Sequence, residues 1–392
     1  MLLPGAKMQI SFIKDLATVR DPQSKFTFLN YLKEHGRLLQ FTNLGTFLPT
    51  RLEFNDYMTW AARHFTESIK YGEDVVGICP YRTDGNKKWN GFQVESKNVR
   101  SGERTYHFAR HVVIAVGGKP SIPSPFPNDV ERIMHSSEYA KRISKVLPVR
   151  DKAYNIAVVG SGQSAAEIFN DLHGRFPSAT TSLVIRDSAL RPSDDSPFVN
   201  EIFDPAAVDE FYNKGPNARD QRIHRDKSTN YSVVRLELLE KMYADLYQQS
   251  IKQPDQALQQ HKILACRGVV DVVDMPCDKK VTLTLEDLDD TAVKGRETLT
   301  FDAVILATGY TRNSHLGMLK ECQVLNGGSE HWQVQRDYSL NLEDVEDDAG
   351  IWLQGCNEQT HGLSDSLLSI LATRSGDLVD SIFKRNTRRK EE

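Results

Sequence analysis

The stretch Asn155-Ile-Ala-Val-Val-Gly-Ser-Gly-Gln-Ser-Ala-Ala-Glu167 decides how the chain is read. An apolar, β-branched run leads into Gly160-Ser-Gly162-Gln-Ser-Ala165, and a helical pattern follows. This is the G-x-G-x-x-A turn of a dinucleotide-binding βαβ unit, in its strand–turn–helix context. Gly160 permits the tight turn, Gly162 lets the backbone approach a pyrophosphate, and Ala165 keeps the helix close to the strand. The next strand, Ser182-Leu-Val-Ile185, ends at Arg186. An acidic residue there would suit the ribose 2′-hydroxyl of NAD, whereas an Arg suits the 2′-phosphate of NADP.

The turn sits in mid-chain, and the same order of elements is found twice around it. Thr83-Asp-Gly-Asn86 reads as a turn between strands, followed by the apolar strand His111-Val-Val-Ile-Ala-Val-Gly-Gly118. Val269 to Leu285 reads as a hairpin, followed by Phe301-Asp-Ala-Val-Ile-Leu-Ala-Thr-Gly-Tyr310. Continuous apolar strands closed by small residues fit buried parallel strands. The expected fold class is therefore α/β, with two dinucleotide-binding, Rossmann-like domains. The first has its closing strand at 112–116 but no opening G-x-G-x-x-G upstream, so it is incomplete at its N-terminus. The expected division is 1–125, then an inserted domain at 150–310 with a pocket-forming insertion around 190–245, then 311–392. Pro120 to Pro127 reads as a linker. Val233, Leu236, Leu239, Met242, Tyr243 and Leu246 recur at helical spacing. Ile351-Trp-Leu-Gln354 reads as a buried strand, with a helix from about Ser364 to Phe383 and a disordered basic tail, Lys384 to Lys390.

At 392 residues, the chain is long enough for two domains with cores of their own. A net charge of −4 gives no reason to expect nucleic acid or an anionic membrane as partner. No apolar run approaches the length of a membrane span. The five cysteines, at 79, 266, 277, 322 and 356, form no C-x-x-C pair, which argues for a reducing, cytoplasmic setting and against a structural zinc site.

Seven segments together carry a resemblance. They are Met8 to Leu16, Phe47 to Tyr57, Gly160 to Ile168, Arg191-Pro-Ser-Asp-Asp-Ser-Pro-Phe-Val-Asn-Glu-Ile-Phe203, Thr229-Asn-Tyr-Ser-Val-Val234, Ala307-Thr-Gly-Tyr310 and Thr360-His-Gly-Leu-Ser-Asp-Ser-Leu-Leu-Ser369. In order and across the whole chain, they resemble the fungal L-ornithine N(5)-monooxygenases, the N-hydroxylating flavoproteins of siderophore biosynthesis. The resemblance implies FAD and NADPH as cofactors, dioxygen and L-ornithine as substrates, N(5)-hydroxyornithine as product, and a homo-oligomer. Members of that family begin with a longer segment carrying the FAD pyrophosphate turn. A truncated gene model or a missed upstream exon is the expectation here.

By motif match, the resemblance implies that Lys14 pairs with the ornithine carboxylate; a lone Lys would otherwise be a solvated surface residue. Asn200 would hold the substrate, with Glu201, Ile202 and Phe203 lining the pocket; the bland reading is a loop Asn fixing a turn. Asn230 would contact both substrate and nicotinamide and act catalytically, with Tyr231 and Ser232 beside it. Taken alone, Thr229, Asn230 and Ser232 are simply good N-caps for a following helix. Ser161, Gly162, Gln163, Ser164 and Arg186 match the NADP contacts. Gln9, Val75, Ser366, Leu367 and Leu368 match FAD contacts, the last three at a helix start whose dipole would favour negative charge on reduced flavin. Ser369 would reach the ornithine carboxylate. Asp194 and Asp195 are read as turn caps and not as metal ligands, and no metal is expected. His361 has no nucleophile elbow near it and is read as shaping the flavin loop.

Two alternatives stay open. Lysine differs from ornithine by one methylene, worth about 1–3 kcal/mol in a pocket. A truncated, non-catalytic NADP(H)-binding protein would keep the intact half and lose turnover.

Overall fold

The computed structural model describes residues 3–289 and 295–391. The chain divides into two compact units. The first comprises 1–6, 120–196 and 227–310, and the second 7–119, 197–226 and 311–392. Within 190–245, residues 197–226 therefore cluster with the second unit and their flanks with the first.

The first unit is built on a five-stranded sheet. Its strands are β1 (Ile133–His135), β2 (Asn155–Val159), β3 (Thr180–Val184), β4 (His261–Leu264) and, after a three-stranded antiparallel sheet formed by β5 (Arg267–Met275), β6 (Lys280–Asp287) and β7 (Arg296–Phe301), β8 (Ala303–Leu306). The order is β4-β3-β2-β8-β1, and every pairing is parallel. Central β2 and β8 are buried on both faces, as the continuous apolar runs predicted. Ile156, Val158 and Ile305 face one core, with the helices α1 (Tyr139–Val146), α2 (Gln163–Arg175) and part of α3 (Leu236–Lys252). Ala157, Val304 and Leu306 face a second core closed by Val281, Leu283, Leu285 and Phe301 of the antiparallel sheet. On α2, Ala165, Ile168, Phe169 and Leu172 are fully buried at helical spacing. Each large apolar side chain contributes about 1.5–3 kcal/mol to holding the helix on the sheet.

In the second unit, a three-stranded antiparallel sheet, Glu73–Tyr81, Gly91–Asn98 and Arg104–Ala109, stands beside a parallel pair, His111–Ile114 with Gly350–Leu353. Ile78, Phe92, Val112, Ile114, Ile351 and Leu353 form the core between them. The two apolar strands read as equivalents differ here. Ala303–Leu306 is buried throughout, but Val113 is 43% exposed, because only one face of His111–Ile114 is packed. A separate aromatic core joins Phe28, Tyr31, Phe41, Phe54, Tyr57 and Trp60 from the helices Phe28–Glu34, Leu38–Asn43 and Arg51–Arg63. The C-terminal helix runs Leu371–Glu391, so it is displaced from the expected 364–383 and passes through the segment read as a tail. Lys and Arg are good helix formers and no Gly or Pro interrupts them there. The side chains beyond Arg385 lie outside the described residues.

Candidate active site

The glycine turn lies at the carboxyl end of β2, where the strand order runs one way to β3 and the other way to β8. This is the switch point at which open α/β sheets bind ligands. Gly160 has φ +134°, and a Cβ there would stand 2.4 Å from the carbonyl oxygen of Ala307 at the end of β8. Gly162 has an ordinary φ of −92° and is the N-cap of α2, with no side chain of its own to fill the space over the helix end. Ala165 N–H already donates to Gly162 O (3.0 Å), which leaves the N–H groups ahead of it at the helix end without a carbonyl in the helix, and the dipole favours an anion there. The turn thus fits a dinucleotide pyrophosphate. Ser161 donates to Asp187 (3.3 Å), and Arg186 stands exposed directly after β3. Gln163 reaches away from the turn: its Oε1 accepts from Arg235 N (2.9 Å) and its Nε2 donates to Glu167 (2.8 Å). Ser164 is half-buried in the first turn of α2.

That Gln163 bond fixes the loop carrying Asn230, Tyr231 and Ser232, which are not N-caps. Ser232 takes a left-handed conformation (φ +57°), and Val233–Val234 then pairs in parallel with Arg191–Pro192. The helix α3 begins only at Leu236, and its N-cap Arg235 makes no side-chain cap. Val233 accordingly belongs to a strand and not to the helical series. A non-glycine residue in this region carries local strain, a frequent mark of ligand-binding segments. The Cα of Ser232 lies 3.6 Å from where a Cβ on Gly162 would be, so the loop borders the glycine turn. Asp194 caps its own turn by accepting from Ser196 N (3.0 Å); hydrogen bonding from the Ser196 side chain and then its backbone lowers the Asp194 pKa, and Asp195 lies 3.9 Å from Arg235.

In the second unit, Lys14 lies in an irregular segment and not beside a helix. Met8 N donates to Pro49 O (2.9 Å) and Phe12 N to Phe47 O (2.9 Å). The adjacent Asp15 is buried, and its carboxylate accepts from the backbone N–H groups of Ala17, Thr18 and Phe28 at 2.9, 2.6 and 2.6 Å. Lys14 is thereby held on the aromatic core while its ammonium reaches 3.5 Å from Asp204. Asp204 ends the 3₁₀ turn Glu201–Phe203, which follows Asn200 directly and packs on the 3₁₀ turn Leu363–Ser366. Ile202 shares a cavity with Phe211, His361, Gly362, Leu363 and Ser364. The structure therefore brings Lys14, the 200–203 segment and the 360–369 loop into one neighbourhood.

Ser366, Leu367 and Leu368 do not start a helix. Gly362 turns the chain at φ +85°, two 3₁₀ turns follow, and the α-helix begins at Leu371. Leu367 and Leu368 present apolar surface, and Ser369 Oγ is buried with no hydrogen-bond partner. Asp365 anchors this loop from within. It is fully buried and accepts from Asn357 N (2.7 Å); Arg374 lies 3.7 Å from its carboxylate and donates to its carbonyl oxygen. Burial raises its pKa against the opposing pull of Arg374. His361 is buried, bonds Arg336 O (3.1 Å) and Thr360 Oγ1 (2.8 Å), and stacks on Tyr338 at 4.2 Å. Burial pushes its imidazole down to about 4, so it is neutral near pH 7 and serves as packing. Ser366 and Leu367 are half-buried and Leu368 exposed, so this loop offers the apolar surface that a flavin ring would need. Gln9 is exposed and Val75 half-buried, and neither makes a hydrogen bond to the 366–368 loop among the described residues.

The model of the L-lysine 6-monooxygenase/L-ornithine 5-monooxygenase family matches residues 1–312. The chain belongs to this family. It is 52% identical over 391 residues to an L-ornithine N(5)-monooxygenase of Aspergillus oryzae and 53% identical over 393 residues to one of Arthroderma benhamiae. Each match covers 98% of this chain and 78% of the relative. Among solved structures, the ornithine hydroxylase PvdA of Pseudomonas aeruginosa superposes with a TM-score of 0.88 at 36% identity, covering 98% of this chain and 88% of that one. The Kutzneria ornithine N-hydroxylase with reduced FAD, NADP+ and L-ornithine gives 0.87 at 35%, covering 98% and 89%. These family members confirm the expected class, a flavoprotein fold with Rossmann-like domains.

Sequence reasoning passed over Asp15, Asp187, Asp204, Arg235 and Asp365. Asp15 and Asp365 lay inside quoted motifs, Asp365 between two serines, and it is their burial in the fold that reveals them. Asp187, Asp204 and Arg235 act through residues distant in sequence and left no signal.

Proposed function

We propose that this protein is an NADPH- and FAD-dependent L-ornithine N(5)-monooxygenase. The observation that carries the reading is the identity of about half of all residues, along 98% of the chain, with enzymes named for that activity. In the reaction, an N–O bond forms at the side-chain amine while the O–O bond of dioxygen breaks. One oxygen enters the product, the other leaves as water, and NADPH supplies two electrons. Bound FAD supplies the redox chemistry between NADPH and dioxygen.

The chain's own residues bind and orient. Ser161 to Ser164 hold the NADP pyrophosphate and Arg186 its 2′-phosphate, with Asn230, Tyr231 and Ser232 along the nicotinamide side. Gln9, Val75 and Ser366 to Leu368 receive the flavin. Lys14 and Ser369 take the ornithine carboxylate, Asn200 and Asn230 orient the substrate, and Glu201 to Phe203 wall the pocket. The attacking amine must be neutral, although such amines titrate near about 10.4 in water. A dry wall of Ile202, Phe203 and Leu367 lowers that value by desolvation. The reading includes a homo-oligomer in the cytoplasm. Exposed Tyr243, Tyr247 and Ile251 along α3 support self-association.

The test is NADPH oxidation and hydroxylamine product, measured with FAD, with and without ornithine. Ornithine-dependent product, with lysine much poorer, supports the reading. NADP+ binding without flavin retention or product would favour the non-catalytic alternative.

A further inference from the structure

We propose that Asp204 is the counter-charge for the α-ammonium group of the substrate, so that the Lys14–Asp204 pair is a receptor for a zwitterionic amino-acid head group. The inference rests on the ornithine reading and on the placement of Lys14 at the substrate carboxylate.

The two side chains face each other at 3.5 Å and remain reachable, at 32% and 47% exposure. That distance exceeds the 2.7–2.9 Å of a tight charged hydrogen bond, and exposed pairs of this kind contribute little to stability. The pair is therefore easily opened. Neither residue depends on it for its position. Lys14 is fixed through the Asp15 carboxylate. Asp204 is fixed by its own backbone: its N–H donates to Glu201 O (3.2 Å), its carbonyl accepts from Ala207 N (3.0 Å), and Pro205 holds it extended at ψ 143°. Of the nearby carboxylates, Asp209 pairs with Arg336, and Glu210 with Lys214 and Arg222. Among the described residues, the ion pair of Asp204 is with Lys14.

An amino-acid head group carries an ammonium and a carboxylate on one carbon. Laid antiparallel over the pair, its carboxylate meets Lys14 and its ammonium meets Asp204. Neither protein charge is left without a partner, so the exchange avoids the penalty of an uncompensated charge. A simple diamine would satisfy Asp204 alone and leave its second cation facing Lys14.

The experiment compares ornithine with 5-aminopentanoate, which lacks only the α-amino group. Binding to the chain supplemented with FAD and NADP+ is measured by calorimetry, for the wild type and for Asp204→Asn and Asp204→Glu. The wild type is expected to prefer ornithine by about tenfold, the equivalent of about 1.4 kcal/mol. Asp204→Asn should erase that preference by weakening ornithine while leaving 5-aminopentanoate unchanged or tighter, and Asp204→Glu should restore part of it. Equal weakening of both ligands, no change, or tighter ornithine binding in Asp204→Asn overturns the proposal. A wild type that binds neither ligand overturns the ornithine reading itself.

Discussion

Replacing each glycine of the turn by alanine separates its two functions. In Gly160→Ala, the new Cβ would stand 2.4 Å from Ala307 O and 3.0 Å from its carbonyl carbon, both backbone atoms. Ordinary carbon–oxygen contacts lie near about 3.3–3.6 Å, so β2 and β8 must part by about 1 Å in the middle of a close-packed sheet. The φ of +134° adds strain that no side-chain rotation relieves. The expected loss is about 3–5 kcal/mol, which lowers the unfolding midpoint by about 6–20 °C for a domain of this size. In Gly162→Ala, the backbone angle is ordinary and the nearest atom, Ser232 Cα, lies at 3.6 Å. A weaker N-cap is offset by the lower entropy of the unfolded chain, leaving stability within about 1 kcal/mol. The methyl group instead occupies the approach of the pyrophosphate, and NADP+ affinity should fall about 10–100-fold, that is about 1.4–2.8 kcal/mol. Thermal unfolding and NADP+ titration of both variants check this. A Gly160→Ala protein that melts like the wild type, or a Gly162→Ala protein that binds NADP+ normally, refutes the reasoning.

Acid should weaken the nucleotide-binding unit. His173 and His261 stack at 3.5 Å beside Asp245 and Lys241, and burial pushes their imidazoles down to about 3 and about 4. The unfolded chain, with ordinary histidines, then binds more protons than the fold between pH 4 and 6.5, so stability falls as pH drops through that window. Urea midpoints should show a loss of about 2 kcal/mol from pH 7 to pH 5, discounted for partial exposure, and His173→Leu should flatten the slope. An unchanged slope in that variant would assign the effect elsewhere. At the flavin loop, Asp365→Ala strands the buried Arg374 and the Asn357 N–H, and should cost about 3–5 kcal/mol in denaturant unfolding. Asp365→Asn keeps an acceptor and should cost clearly less; equal losses would contradict the anchoring role.

The nucleotide turn was legible because its chemistry is local: two glycines, a small residue and a preceding apolar run constrain backbone, not partners. The buried strand Ala303–Leu306 was legible for a similar reason. Other features depended on distant residues. Nothing within Thr229 to Ser232 announces that Val233–Val234 will pair with Arg191–Pro192 and defer the helix to Leu236. The 366–368 segment looks like a helix start until the turn at Gly362 and the Asp365 anchor are seen. The family motif singled out Lys14, but its orientation comes from a carboxylate bonded to Phe28, and its partner Asp204 lies almost two hundred residues away. His111–Ile114 read like its counterpart, yet alternation on one packed face left Val113 exposed.

The strand order of the nucleotide-binding sheet also governs when this unit can fold. β2 is flanked by β3, which follows it closely, and by β8, which begins only at Ala303. On the ribosome, β2 emerges with one edge paired and the other bare until residues 303–306 appear. At 5–20 residues per second, that interval lasts about 7–30 s. The nascent chain must shield Ile156, Ala157 and Val158 throughout. Slowed elongation between β3 and β8 is therefore a hazard for yield, while a pause after β8 would be harmless.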